Sequence, residues 1–225
     1  MPYVEMMGLP GVGKTTLHQR LLAQSSDPGF RSFGSCMRDL EKIIGKREFA
    51  LSKRTALKVA ESNFADWLDV VVEGFRRADC SSVLLIKRIS WLQKAFERAA
   101  LLQFHGNVQN VVFDEFLMQY GMSLALSGMI DEGILNHYYS LCPKPEVLVV
   151  MSCCRVRLVE RMKGRAEVTH RGARHLDYDL LEWAMSLGVA AGEASNVKIL
   201  RVDGNKTEVE IYKAVRAGLA STLQS

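Results

Sequence analysis

The chain has 225 residues, of which 48% are apolar and 24% are charged. This composition is typical of an ordinary globular protein and excludes disorder, collagen and coiled coil as descriptions of the whole chain. The net charge of +4 suits an anionic small substrate but does not favour a nucleic-acid partner.

The apolar residues form no run of 18, so the sequence predicts no membrane-spanning segment. The five cysteines are odd in number and form no C-x-x-C pair. This pattern favours reduced thiols and a cytoplasmic location.

Short apolar runs predict five strands, and helical periodicity predicts the segments between them. The predicted strands are Val4–Met7, Phe30–Gly34, Gln109–Asp114, Glu146–Met151 and Val197–Val202. The predicted helices are Lys14–Gln24, Arg38–Lys46, 52–79, 82–105, 117–141 with a break near Ser127-Gly128, Arg155–Lys163, Asp177–Ala194 and Thr207–Leu223. Alternating strands and helices are typical of a parallel sheet with helices on both faces. We expect a three-layer α/β fold in one domain, residues 1–225, with a helical insertion at about 52–105.

The strongest motif follows the first predicted strand and precedes the first predicted helix. Residues 8–15, Gly-Leu-Pro-Gly-Val-Gly-Lys-Thr, match G-x-x-x-x-G-K-[ST], and we call them the phosphate loop. The backbone amides of such a loop and the positive end of the following helix bind phosphate oxygens. The loop residues expected to bind the nucleotide are Gly8, Gly11, Val12, Gly13, Lys14, Thr15 and Thr16. We expect an exposed Lys14 on the β and γ phosphates, Thr15 on Mg²⁺ and Thr16 near the α phosphate.

Asp114 ends the third predicted strand and is followed by Glu115. Ligands bind at the carboxyl ends of parallel strands, where Asp114 would hold Mg²⁺ or accept a proton from an acceptor hydroxyl. Either role requires Asp114 to lie against the phosphate loop. The alternative is a strand-ending aspartate that caps the next turn.

Basic residues concentrate after the fourth predicted strand. Arg157, Arg161 and Arg165 lie four apart, on one face of a helix, and Arg171 and Arg174 follow in a polar segment. Phosphoryl transfer gains most from positioning and from cations around the transferred group. We therefore expect an arginine-bearing lid at about 155–175, with Arg161 and Arg165 acting in catalysis. The alternative is a solvated basic face.

The order of these motifs resembles that of P-loop small-molecule kinases of the nucleoside and nucleotide kinase type, such as thymidylate kinase. The resemblance implies ATP and Mg²⁺ as cofactors and a five-stranded parallel sheet in the order 2-3-1-4-5. It also implies that Arg161 and Arg165 touch the donor phosphates. Asp203 to Lys206, including Asn205, fall where the adenine packs in that family.

The acceptor half departs from the family pattern, because Asp114 is followed by Glu115-Phe116 rather than by arginine. The nearest candidate acceptor residues are Arg38, Asp39, Glu41, Lys87 and Arg88. The acceptor therefore stays open among nucleosides, nucleotides, sugars and other metabolites. The sequence also leaves open whether residues 52–105 bind substrate or form a homodimer.

Three other functions fit parts of the pattern. A motor- or switch-type ATPase would use Glu115 to activate water, as an Asp-Glu pair after an apolar strand does in such proteins. A GTP-binding switch is favoured only by Asn205-Lys206-Thr207-Glu208, which is similar to the N-K-x-D motif with Glu in place of Asp. The third alternative is a binding protein that has lost its activity, and the intact Lys14 and Thr15 argue against it.

Overall fold

The computed structural model describes residues 3–23, 29–77, 82–106, 110–126, 131–169 and 176–223, without the side chains of 165–169 and 222–223. Four strands and ten helices lie within these ranges. The strands are β1 (Tyr3–Gly8), β2 (Val111–Phe113), β3 (Val147–Ser152) and β4 (Lys198–Asp203). The helices are α1 (Lys14–Ala23), α2 (Phe33–Ile44), α3 (Lys46–Asn63), α4 (Ala65–Arg77), α5 (Ser82–Phe104), α6 (Leu117–Leu126), α7 (Glu132–Leu141), α8 (Arg155–Thr169), α9 (Tyr178–Ala194) and α10 (Glu208–Leu223).

The described strands form one parallel sheet in the order β2-β1-β3-β4. β1 lies inside the sheet, where it pairs with β2 at Tyr3–Val111 and with β3 at Val4–Val147. Every residue of β1 is buried. A strand that is covered on both faces reads as a continuous apolar run, which is why the sequence predicts it well.

The prediction of five strands in the order 2-3-1-4-5 is wrong for the described residues. The predicted second strand, Phe30–Gly34, contributes only a bridge between Arg31 and Val111, at the outer edge of β2. The chain cannot continue as a strand there, because the Ser32 side chain accepts the Ser35 N–H at 3.2 Å and starts α2.

Helices cover both faces of the sheet, as neighbouring residues of β4 demonstrate. Ile199 packs toward Gly192 of α9, whereas Leu200 packs toward Gly218 of α10. Because successive side chains of a strand point to opposite faces, α9 and α10 lie on opposite sides of the sheet. The three-layer α/β arrangement is therefore confirmed, and the buried apolar side chains form one core.

The helical insertion begins earlier than predicted and contains a break. α3 starts at Lys46 rather than at residue 52, and it ends at Asn63, with Phe64 as its C-cap, instead of continuing to residue 79. The Phe64 ring turns onto Phe96 of α5, with ring centroids 6.0 Å apart and planes at 79°. Residues 78–81 lie outside the described ranges. None of the described helices is both long and apolar enough to cross a membrane.

Candidate functional site

The phosphate loop joins β1 to α1 through a turn that requires glycine. Gly11 and Gly13 have φ values of 85° and 107°, a region that side chains disfavour. At Gly8 a Cβ atom would lie only 2.6 Å from the carbonyl oxygen of Met151 on β3. These glycines hold the loop close to the sheet and above the first turn of α1.

Lys14 is the first residue of α1, and it is buried rather than exposed as expected from the sequence. Its Nζ donates to the carbonyl oxygen of Gly8 at 2.7 Å and to that of Leu9 at 3.4 Å. A buried ammonium group needs such partners, because leaving it unpaired in the interior is costly. The side chain therefore folds back over its own loop and presents its charge there.

Thr15 and Asp114 contact each other at the edge of the sheet. The Thr15 hydroxyl donates to Asp114 Oδ2 at 3.3 Å. Asp114 directly follows β2, and Thr15 lies in the first turn of α1, the helix that follows β1. The contact therefore joins the segments that leave two neighbouring strands at the same edge of the sheet. The structure thus meets the geometric condition for the proposed role of Asp114.

α8 carries Arg161 over the phosphate loop. The guanidinium donates to the carbonyl oxygens of Gly11 at 3.4 Å, Val12 at 3.3 Å and Gly204 at 3.2 Å. Arg157, one turn earlier, donates to the Asn205 carbonyl oxygen. Both arginines therefore join α8 to neighbouring loops, so the two do not form an unpartnered basic face.

The rest of the predicted lid is described only in part. The helix continues to Thr169, past its predicted end at Lys163. The side chain of Arg165, together with residues Arg171 and Arg174, lies outside what the structure describes. The predicted contact of Arg165 with the donor phosphates therefore stays a prediction, as does the place of Arg171 and Arg174 in the lid.

The loop after β4 is built by its own polar side chains. Asp203 Oδ1 accepts the N–H of Asn205 at 2.9 Å and its Nδ2–H at 2.8 Å. The backbone N–H and then the side chain of Asn205 hold the pKa of Asp203 below its ordinary value. Asn205 Oδ1 in turn accepts the N–H of Cys154 at 3.1 Å. Asp203 and Asn205 thus shape the loop, and neither lines the cavity described next.

A cavity of about 510 Å³ lies beside the phosphate loop. Its volume lies in the range of small-molecule sites. Among the predicted residues, Gly11 to Thr16 and Arg161 line it. It is also lined by Lys206, which belongs to the segment where the resemblance places the adenine, and by residues without a predicted role in binding the donor: Arg20, Glu115, Glu208 and Ile211.

Some of these additional positions carried a signal in the sequence. Arg20 lies four residues after Thr16 and thus on the same face of α1. Ile211 likewise lies four residues after Thr207, which directly precedes α10. Helical spacing could have identified both as neighbours of the loop, whereas the position of Glu115 depends on the turn after β2.

Two buried polar residues lie behind the loop, and the sequence patterns did not predict a role for either. Glu5 on β1 is completely buried, and Gln119 on α6 is buried beside it. Burial raises the pKa of Glu5 to about 8, and backbone N–H groups of Gln119, Met118 and Phe116 act in the opposite direction. A charged residue inside an apolar strand was the available signal for Glu5.

No protein-family model matches the chain, and no curated protein matches its sequence. Two solved structures of deoxyadenosine kinase from M. mycoides are similar to it at 13% identity, covering 97% of this chain and 99% of theirs. The one with bound dCTP has a TM-score of 0.48, and the one with the products dCMP and a flexible dCDP has 0.49. Likeness at this level carries no argument about activity, which depends on the site itself.

Proposed function

We propose that the chain is an ATP-dependent phosphotransferase that moves the γ-phosphoryl group of ATP to a nucleoside- or nucleotide-like acceptor. The observation that carries this proposal is that side chains from α1 and α8 line the same cavity. Lys14 and Thr15 from α1 and Arg161 from α8 all line it, and Asp114 is bonded to Thr15. Phosphoryl transfer needs this combination of positioning and positive charge more than it needs covalent chemistry from the protein.

The donor end of the cavity suits a nucleoside triphosphate. The loop amides and the start of α1 supply N–H groups and positive potential for phosphate oxygens. Lys206 and Ile211, at the start of α10, line the same cavity and provide a cation and an apolar side chain for the nucleoside end. The charge of Lys14 lies between the loop carbonyls, where it would meet the β and γ phosphates.

Thr15 and Asp114 suit a magnesium ion that arrives with the nucleotide. Magnesium prefers hard oxygen ligands and is commonly held by one or two protein groups together with substrate phosphates and water. The hydroxyl and the carboxylate, 3.3 Å apart, are two such ligands. When bound, the ion would neutralise charge that develops on the β and γ phosphate oxygens.

Arg161 would stabilise the transferred group. Its guanidinium already lies over the loop carbonyls and lines the cavity, so a small rotation would direct N–H groups toward an added phosphate. A planar guanidinium suits phosphate because it donates several hydrogen bonds in a fixed geometry. We assign it to charge stabilisation in the transition state.

Aromatic and cationic side chains beside Glu115 support an acceptor with a base and an anionic group. The Arg98 guanidinium lies 5.7 Å from the centre of the Phe33 ring, and the rings of Trp91 and Tyr120 are 6.2 Å apart. Burial raises the pKa of Tyr120, Glu115 raises it further, and Arg98 lowers it, so these charges lie near that ring. Asp114 or Glu115 would accept the proton of the acceptor hydroxyl.

A second candidate function follows from the position of Glu115, which is exposed and lines the donor cavity. In a motor- or switch-type ATPase this carboxylate would activate water for attack on the γ phosphate. The two candidates differ in what limits turnover. A kinase requires its acceptor, whereas the ATPase releases ADP from ATP alone.

The deciding experiment measures ADP release from Mg-ATP, alone and with separate pools of nucleosides, nucleoside monophosphates and sugars. We use Lys14→Met as the blank, because methionine keeps the buried stem while removing the charge. Lys46→Met, at an exposed position of α3, is the matched control. We expect a nucleoside or nucleotide pool to stimulate ADP release. The stimulated rate should fall about hundredfold in Lys14→Met and stay unchanged in Lys46→Met. Steady release that no pool changes and that Glu115→Gln removes would assign the ATPase function instead.

A further inference from the structure

Three polar or charged side chains are buried among the described residues: Glu5, Lys14 and Gln119. Burying such groups costs free energy unless each is bonded. Lys14 has its role at the donor phosphates. Glu5 and Gln119 have none in the proposed reaction, although they lie directly behind the phosphate loop.

The three residues form one chain of hydrogen bonds through Gly8. The backbone N–H of Gln119 donates to Glu5 Oε1 at 2.8 Å. The Gln119 side chain accepts the N–H of Gly8 at 2.9 Å, and the carbonyl oxygen of Gly8 accepts from Lys14 Nζ at 2.7 Å. The first glycine of the phosphate loop is therefore held at its N–H by α6 and at its carbonyl by the loop lysine.

The Gln119 side chain supplies Gly8 with a hydrogen-bond acceptor that β2 is too short to provide. β2 pairs with β1 only from Tyr3 to Glu5, because it ends at Phe113 opposite Glu5. Gly8 lies three residues further along β1, beyond the last β2 partner. A buried N–H without an acceptor is rare and costly, and the Gln119 carboxamide oxygen supplies the missing partner.

Glu5 fixes the position of α6 at the same time. Its carboxyl oxygen Oε1 accepts an N–H group in the first turn of the helix, where N–H groups lack partners within the helix. α6 starts three residues after Asp114. The bonds from α6 to Glu5 and Gly8 therefore set where the Asp114 turn lies relative to the phosphate loop.

We propose that Gln119 is a positioning residue that holds the phosphate loop against the Asp114 turn, with Glu5 as the anchor of its helix. This role rests on the proposed function, because it acts through the pair Thr15–Asp114 that would hold the magnesium ion. Without the Gln119 bond, the spacing of that pair is free to relax, and magnesium should then strengthen nucleotide binding only at a higher concentration.

The test measures the binding of fluorescent ADP as magnesium is titrated, followed by kcat and KM for ATP. In Gln119→Met, which keeps the length but removes the acceptor, the magnesium concentration at half effect should rise about tenfold, whereas binding without magnesium stays within about twofold. Gln119→Glu keeps an acceptor oxygen and should restore most of the magnesium response. Gln119→Asn, one methylene too short to reach, replaces Gln119→Met should that variant fail to fold.

Tyr3→Phe is the control for a purely structural effect, because it removes a buried hydrogen bond of 3.2 Å to the Pro143 carbonyl. It should lower the melting temperature and leave the magnesium titration unchanged. An unchanged titration in Gln119→Met would overturn the positioning role. A shifted titration without phosphoryl transfer by the wild-type protein would overturn the proposed function and keep the positioning role. A wild-type protein that binds no nucleotide would overturn both.

Discussion

The hydroxyl of Thr15 lies 3.3 Å from the carboxylate of Asp114, although 99 positions separate the two residues in the chain. Thr15 is the last residue of the phosphate loop, which follows β1, and Asp114 follows β2, so the parallel sheet brings the two to the same edge. In the proposed function, this pair would offer two hard oxygen ligands to a magnesium ion that arrives with the nucleotide.

Removing the Thr15 hydroxyl or the negative charge of Asp114 should therefore raise the magnesium requirement of turnover. We expect Thr15→Val and Asp114→Asn each to lower kcat/KM for Mg-ATP by about hundredfold, with little change in the binding of ADP without magnesium. Steady-state kinetics at several magnesium concentrations, together with calorimetric ADP binding, measures both quantities. Thr15→Ser keeps the hydroxyl and should stay within about threefold of wild type. Equal losses in Thr15→Ser and Thr15→Val would contradict the role as a ligand.

Arg161→Ala should lower kcat by more than it weakens ATP binding. The reason is that the guanidinium is assigned to charge that develops during transfer, and such losses appear in kcat rather than in KM. We expect a loss of about hundredfold in kcat. Arg157→Ala is the matched control, because Arg157 lies on the same helix and donates to the Asn205 carbonyl oxygen rather than to the phosphate loop. A similar loss of kcat in both variants would indicate a general disturbance of α8.

Glu5 should make the folded state less stable as the pH rises. Its pKa is about 8 in the folded state and 4.5 in the reference state, so the unfolded chain loses the proton first. The free energy of unfolding should therefore fall by about 3 kcal/mol between pH 4.5 and pH 7, and stop falling from this cause above pH 8. Below pH 4.5 both states are protonated and the cost is absent.

Urea unfolding of wild type and Glu5→Gln across pH 4 to 9 measures this effect. Glutamine keeps an oxygen for the Gln119 N–H and does not titrate, so the difference in stability should move in favour of the variant as the pH rises. Parallel pH profiles for the two proteins would contradict the assignment.

The sequence predicts the parts of this site that are local. The phosphate loop is contiguous, and the apolar β1 before it identifies its place in the sheet. Asp114 could be placed at the correct edge by the rule for parallel strands, but its contact with Thr15 depends on the register of β1 and β2. The burial of Lys14 depends on how its side chain folds back, which residue spacing does not describe.

Other features depend on contacts between distant segments. Gln119 reaches Gly8 across 111 positions, and no periodicity within α6 distinguishes it from a packing residue. The predicted second strand became a single bridge because the cap at Ser32 favours a helix over continued pairing. The break between α3 and α4 similarly follows from the packing of Phe64 on Phe96, a tertiary contact that outweighs helix propensity.

Two helical glycines should respond in opposite directions to the same substitution. In α6, a Cβ atom at Gly121 would lie 2.5 Å from the Tyr139 ring, which is itself fully buried and would have to shift. Gly121→Ala should therefore destabilise the protein by about 1 to 3 kcal/mol through overpacking. In α8, Gly164 is exposed and has nothing within 4 Å of that position, so Gly164→Ala should stabilise it by about 0.5 to 1 kcal/mol.

Urea unfolding of the two variants and the wild type measures both values. Because the chemical change is identical, the difference between the variants isolates the effect of the surrounding packing. A stabilising Gly121→Ala would mean that Tyr139 yields at little cost, so that the contact between α6 and α7 is looser than the short distances require.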